Sequence, residues 1–235
     1  MPATGLDILK RLVPTISVGV VSADLMRLGA ELAQLEQAGV GAIHFDVMDG
    51  VFCPMLTLGP PIIKAVTTPL LKDVHLMISN PLLKLQDYVA SGADIVTVHI
   101  ESEPIHIHRV FQSLGAMKNA NDPERGIVRG VGLNPGTPVE AILPVLDQVE
   151  MVVLLGINPG WGGQRLLPGT AGRVAAVREL IGDRDILIGL DGGVNRENIS
   201  EVAATGADLI VTGSAVFEGK TPLDNARAMM QALSA

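Results

Sequence analysis

The chain has few reactive or aromatic side chains and no long apolar run. Among its 235 residues there is one cysteine, Cys53, and aromatic residues make up only 3%. A single cysteine excludes an intramolecular disulfide framework and fits a reducing compartment, so a cytoplasmic setting is expected. The longest apolar stretches, such as 151–155, fall far short of the roughly 18 residues that suggest a membrane span. Residues 1–14 mix charged with apolar side chains and do not read as a signal peptide. Basic runs are missing as well, and the net charge is −8. Neither a membrane nor a nucleic acid is therefore expected as a partner.

What is present is a regular alternation. Apolar, β-branched runs near 16–21, 42–47, 73–78, 95–99, 127–133, 151–157, 186–190 and 208–212 predict eight strands. Between them, leucine, valine and alanine recur every three or four residues over 25–37, 81–90, 139–148, 172–181, 198–205 and 222–233, which predicts helices. The segment 117–125 has neither period and is expected to be a loop. A weak repeat places Gly39, Gly92 and Gly206 between a helical pattern and a strand, where glycine closes a helix cheaply in the left-handed conformation. Repeated strand–helix units with right-handed crossovers predict a single α/β domain over 1–235, a (β/α)8 TIM barrel. An open doubly wound sheet is the alternative, but no G-x-G-x-x-G follows the first strand.

The chemistry gathers at the C-terminal ends of the strands. Residues two apart in a strand share a face, so His44, Asp46 and Met48 lie together, as do Asp73, His75 and Met77. With Asp191 at the end of the seventh strand, His44, Asp46 and His75 form a candidate site for one divalent ion: zinc, iron, manganese or cobalt. Either histidine alone would read as a hydrogen-bonded core residue; the conjunction points to a metal. Asp49, beside Gly50, reads as a turn residue. Met48 and Met77 read as core fillers or as the soft lining of a barrel mouth.

Glycine-rich turns follow the last three strands at 158–164, 191–193 and 212–215. Glycine lets backbone N–H groups approach an anion, and a phosphate site after strands seven and eight recurs in these barrels. Two carboxylates on opposite sides of a mouth suit removal of a proton from one face of a carbon and return on the other, which is what an epimerase requires.

Together, Ser22-Ala23-Asp24, His44-Phe45-Asp46-Val47-Met48-Asp49-Gly50, Leu58-Gly59-Pro60, Asp73-Val74-His75-Leu76-Met77, Thr97-Val98-His99, Asn134-Pro135-Gly136-Thr137, the 158–164 segment, Asp191-Gly192-Gly193 and Gly213-Ser214-Ala215 make the sequence resemble the ribulose-phosphate 3-epimerase family over nearly its whole length. The resemblance implies a metal-dependent barrel in pentose phosphate metabolism that interconverts D-ribulose 5-phosphate and D-xylulose 5-phosphate through an enediolate. It implies His44, Asp46, His75 and Asp191 as metal ligands, with Asp46 and Asp191 as the acid/base pair. The phosphate would meet Gly160, Trp161, Gly162, Gly163, Gly192, Gly193, Gly213 and Ser214. Met48 and Met77 would flank the intermediate, with Gly19 and His75 completing the substrate's surroundings. A homo-oligomer is implied as well.

The sequence departs from the family pattern at Val18-Gly19, where Pro-Ser is usual, and at Leu155, where a methionine is. A missing hydroxyl at Gly19 keeps a related phosphoketose such as D-allulose 6-phosphate open as substrate. A sugar-acid phosphate decarboxylase would want Asp-x-Lys-x-x-Asp on strand three, and Asp73-Val74-His75 has no lysine. A non-catalytic barrel that binds a sugar phosphate would be expected to lose these ligands first.

Overall fold

In every strand successive side chains take opposite faces, so one alternation decides both what the barrel holds and what the helices cover. The computed structural model describes residues 3–233, so the two residues at each end of the expected 1–235 domain lie outside the described residues. The chain runs α1 (Gly5–Leu12), β1 (Thr15–Gly19), α2 (Leu28–Ala38), β2 (Ala42–Met48), α3 (Pro60–Ala65), β3 (Leu71–Met77), α4 (Leu85–Ala90) and β4 (Ile95–His99). It continues through α5 (Ile107–Ala116), β5 (Val128–Leu133), a 3-10 segment (Val139–Gln148), β6 (Met151–Leu155), α6 (Thr170–Ile181) and β7 (Leu187–Asp191). It then passes through α7 (Ile199–Ala203), β8 (Leu209–Thr212), α8 (Ser214–Phe217) and α9 (Pro222–Leu233). Each strand pairs in parallel with the next, and β8 returns to β1, closing the barrel that the strand–helix alternation predicts.

Outward rows, such as Ile43, Phe45 and Val47 on β2 and Val74 and Leu76 on β3, join the apolar layer between barrel and helices. Each large side chain so buried contributes about 1.5–3 kcal/mol. The inward rows begin apolar: Ala42, Leu71, Ile95, Val128, Met151, Leu187 and Leu209 pack with Leu9 of α1, which plugs the N-terminal end of the barrel. Thr4 starts that plug by accepting the Asp7 N–H at 3.1 Å, while the Asp7 carboxylate accepts the Thr4 N–H at 2.9 Å. Further along the same strands the inward rows turn polar, which places the chemistry at the open end.

Glycine closes the expected joints: Gly39 caps α2 with φ +77°, and Gly92 and Gly206 also have positive φ. The 117–125 segment is a loop, fastened by the Asn119 side-chain amide donating to Asp94 at 2.8 Å. Other expectations need correction. The 139–148 segment is 3-10 rather than α, since Pro144 within it has no N–H and its ring clashes with the carbonyl four residues back. β1 stops at Gly19 because Val20–Ser22 curls into a 3-10 turn, and the helix expected from residue 25 starts at Leu28. No helix among the described residues is long and apolar enough to cross a membrane.

Candidate active site

β2 and β3 pair with His44 opposite Asp73, Asp46 opposite His75 and Met48 opposite Met77. The register therefore stacks the inward residues of the two strands in rows, and β7 brings Asp191 to the same level. One donor atom from each of His44, Asp46, His75 and Asp191 lies within 4.8 Å of all the others. His44 Nε2 is 3.4 Å from Asp46 Oδ1 and 3.6 Å from Asp191 Oδ2. His75 Nδ1 is 2.9 Å from Asp191 Oδ2 and 3.9 Å from Asp46 Oδ1. Metal–ligand bonds of about 2.0–2.1 Å set neighbouring donors of a tetrahedral site about 3.3–3.4 Å apart, close to this spread. His44 Nε2 is buried with no hydrogen-bond partner in the protein, which is the state of an atom that serves as a ligand. The donor set and its spacing fit a divalent cation.

Each histidine is oriented from behind. His44 Nδ1 lies 2.7 Å from Asp73 Oδ2, which also accepts the Ser17 hydroxyl at 3.0 Å. His75 Nε2 lies 2.8 Å from His99 Nε2, and His99 Nδ1 lies 3.0 Å from Glu101 Oε2. Burial works against the charged form of His44, but Asp73, Asp46 and Asp191 outweigh it and raise its pKa well above the ordinary value. Burial likewise opposes the Asp46 charge, yet His44 beside it holds the carboxyl below the usual range. Such mutual perturbation at a barrel mouth marks a functional cluster.

Asp46 and Asp191 also form part of the wall of a cavity of about 300 Å³. The wall brings together Gly19, Met48, Met77, Gly160, Trp161, Gly162, Gly163, Gly192, Gly193, Gly213 and Ser214. His44 and His75 sit behind it, 1% and 0% exposed. No lysine or arginine is among the described residues that line the cavity, so an anion there would meet backbone N–H groups and polar side chains. Close approach explains the glycine at 193: its φ is +75°, and a Cβ would come within 2.7 Å of the Leu166 backbone nitrogen. Trp161 is more than half exposed at the rim.

Sequence reasoning did not assign Asp73, Ser17, Glu101 or Ser22 a part here, although the last lines the cavity. For Asp73 the signal exists: it shares the inward face with His75. For Glu101, beyond the end of β4, periodicity carries no signal. Asp49 is the turn residue expected, its carboxylate accepting the Val51, Phe52 and Ser79 N–H groups at 2.8–2.9 Å.

The sequence model described as the ribulose-phosphate 3 epimerase family matches residues 15–217. The chain belongs to that family. A Bacillus subtilis ribulose-phosphate 3-epimerase is 41% identical over 207 residues, covering 86% of this chain and 91% of the relative. The chloroplastic ribulose-5-phosphate-3-epimerase of Arabidopsis thaliana is 39% identical, covering 87% and 72%. Among solved structures, 3-hexulose-6-phosphate synthase from Salmonella typhimurium superposes with a TM-score of 0.67 at 18% identity, covering 94% of this chain and 98% of that one. That likeness is one of fold. The family match spans all eight strands of this barrel and with them the four donor residues and the glycine turns.

Proposed function

We propose that the chain catalyses metal-dependent 3-epimerisation of a phosphorylated ketose, D-ribulose 5-phosphate to D-xylulose 5-phosphate, with Asp46 and Asp191 as the acid/base pair. The observation that carries this reading is the four-donor cluster at the mouth of the barrel of an epimerase-family chain. His44, Asp46, His75 and Asp191 would hold one ion of zinc, iron, manganese or cobalt, which when bound stabilises negative charge on the substrate oxygens. Asp46 on β2 and Asp191 on β7 stand three strand positions apart around the ring, at the wall of one cavity. One carboxylate takes the carbon-three proton from one face of the ketose; the other, carrying a proton, returns it to the opposite face of the enediolate. A well-placed acid or base contributes about 10²–10⁴-fold. Met48 and Met77 flank the planar intermediate and keep water from it. The phosphate rests on the backbone of Gly160, Trp161, Gly162, Gly163, Gly192, Gly193, Gly213 and Ser214, with Gly19 and His75 near the sugar.

The test is conversion of D-ribulose 5-phosphate followed by NMR with the metal-loaded protein. Formation of D-xylulose 5-phosphate that stops on chelation and returns with metal supports the reading; no conversion by metal-loaded protein overturns it. A second reading, 3-epimerisation of D-allulose 6-phosphate, is favoured by the empty side-chain position at Gly19, and the ratio of kcat/KM for the two sugars decides between them. A cytoplasmic homo-oligomer belongs to the same reading. Met26, Val51 and Leu56, strongly exposed on the loops after β1 and β2, support assembly at this end of the barrel, and sedimentation velocity tests it.

A further inference from the structure

We propose that Glu101, acting through His99, is a positioning residue that fixes which nitrogen of His75 is free to bind the metal. The inference rests on the reading of the four-donor cluster as a metal site.

The argument is a count of protons along a buried chain. His75 and His99 are both 0% exposed, and their rings lie 11° from coplanar with Nε2 facing Nε2 at 2.8 Å. One proton belongs between those two nitrogens. At the inner end His75 Nδ1 faces Asp191 Oδ2 at 2.9 Å; at the outer end His99 Nδ1 faces Glu101 Oε2 at 3.0 Å. There are thus three places for a ring proton, and a cation held at His75 Nδ1 would claim the innermost, leaving one proton for each ring. An ionised carboxylate only accepts hydrogen bonds, so the proton next to Glu101 belongs to His99 Nδ1. His99 Nε2 is then a lone pair, His75 Nε2–H donates to it, and the position left without a proton is His75 Nδ1, inside the cluster. A cation there fills the third place.

The structure holds Glu101 in the role. Its second oxygen, Oε1, accepts the Asn134 N–H at 2.8 Å and also the Thr137 hydroxyl. Arg173 of α6 in turn donates to the Asn134 and Thr137 carbonyls at 3.1 and 2.8 Å, tying this loop in place. Burial opposes the Glu101 charge, but the His99 bond and those of Thr137 and Asn134 outweigh it and keep the carboxyl below its usual range. Burial pushes the His99 pKa down. Opposite the His99 ring stands Gly132, where a Cβ would lie 3.1 Å from the ring's Cδ2 and Nε2 atoms. The other histidine ligand uses a shorter route: His44 Nδ1 meets the Asp73 carboxylate directly. Partners of this kind set ligand tautomer and commonly change metal affinity by about 10–100-fold when removed.

The experiment compares wild type, Glu101→Gln, His99→Gln and His99→Leu. Zinc affinity is measured by competition with a chromophoric chelator, and the His99 tautomer by ¹⁵N NMR of the zinc-loaded protein. In zinc-loaded wild type His99 carries its proton on Nδ1. Glu101→Gln allows an amide N–H to face His99 Nδ1 and reverse the chain, so zinc binding weakens by about 10–100-fold and His99 shifts toward the Nε2–H form. His99→Gln keeps an oxygen for His75 Nε2–H and stays within a few-fold of wild type, whereas His99→Leu loses affinity as Glu101→Gln does. The two His99 variants decide the matter if Glu101→Gln fails to fold. Wild type that binds zinc together with variants of unchanged affinity, and with an unchanged His99 tautomer in Glu101→Gln, overturns the relay alone. Folded wild type that binds no zinc overturns the metal-site reading and the relay with it.

Discussion

His44 Nδ1 lies 2.7 Å from the Asp73 carboxylate, while the opposite nitrogen of the same buried ring faces Asp46 and Asp191 with no hydrogen-bond partner in the protein. The Asp73 bond holds a ring proton on Nδ1, so Nε2 is the nitrogen that faces the cluster and would bind the cation. Asp73→Asn keeps an oxygen for that bond and removes the charge behind it. The expected outcome is zinc affinity lowered by about tenfold or more, with thermal unfolding still cooperative. An unchanged chelator-competition curve would show that His44 needs no carboxylate behind it.

Gly19 faces the cavity with room to spare. A Cβ built there would lie 3.7 Å from Asp46 Oδ2 and from Gly213 Cα, in ordinary contact, and the φ of −68° suits any residue. Gly19→Ser should therefore fold and be unchanged or more stable by up to about 1 kcal/mol in urea unfolding. Its hydroxyl enters the cavity beside Asp46, so the kcat/KM ratio between D-ribulose 5-phosphate and D-allulose 6-phosphate should move. An identical ratio would remove residue 19 from substrate discrimination.

Asp49 accepts the Val51 and Phe52 N–H groups within the loop after β2 and ties that loop to the segment after β3 through the Ser79 N–H. Burial opposes its charge, but the Phe52, Ser79 and Val51 bonds and nearby Lys84 outweigh it, so its pKa falls below the ordinary 3.8. A carboxyl depressed in the folded state stabilises fully above the ordinary value and loses that contribution as pH drops through the folded-state value. The stability advantage of wild type over Asp49→Asn, measured by urea unfolding, should accordingly shrink as pH is lowered from about 6 toward about 3. A difference that stays constant over that range would contradict the assignment.

Much of this was legible in the sequence because barrel strands obey a period of two. His44 and Asp46, and His75 on the adjacent strand, announce an inward face by spacing alone, and the glycines after β6, β7 and β8 announce their turns. What spacing cannot convey is register. That His44 stands opposite Asp73, and that His75 reaches His99, follows from how far β3 slides against its neighbours. Glu101 lies past the last strand residue, where periodicity has ended. The 139–148 segment misleads because apolar spacing ignores the missing N–H of Pro144. The plug helix α1 is short, and its Leu9 gains meaning only once the strands close around it.

The most direct measurement is exchange of the carbon-three hydrogen of D-ribulose 5-phosphate with deuterated water, followed by NMR on metal-loaded wild type, Asp46→Asn and Asp191→Asn. Two carboxylates working on opposite faces predict exchange with epimerisation in wild type, and loss of turnover by at least about 10²-fold in each folded variant. Near-normal turnover in either variant, or no exchange by wild type that holds its metal, would contradict the pairing of Asp46 with Asp191.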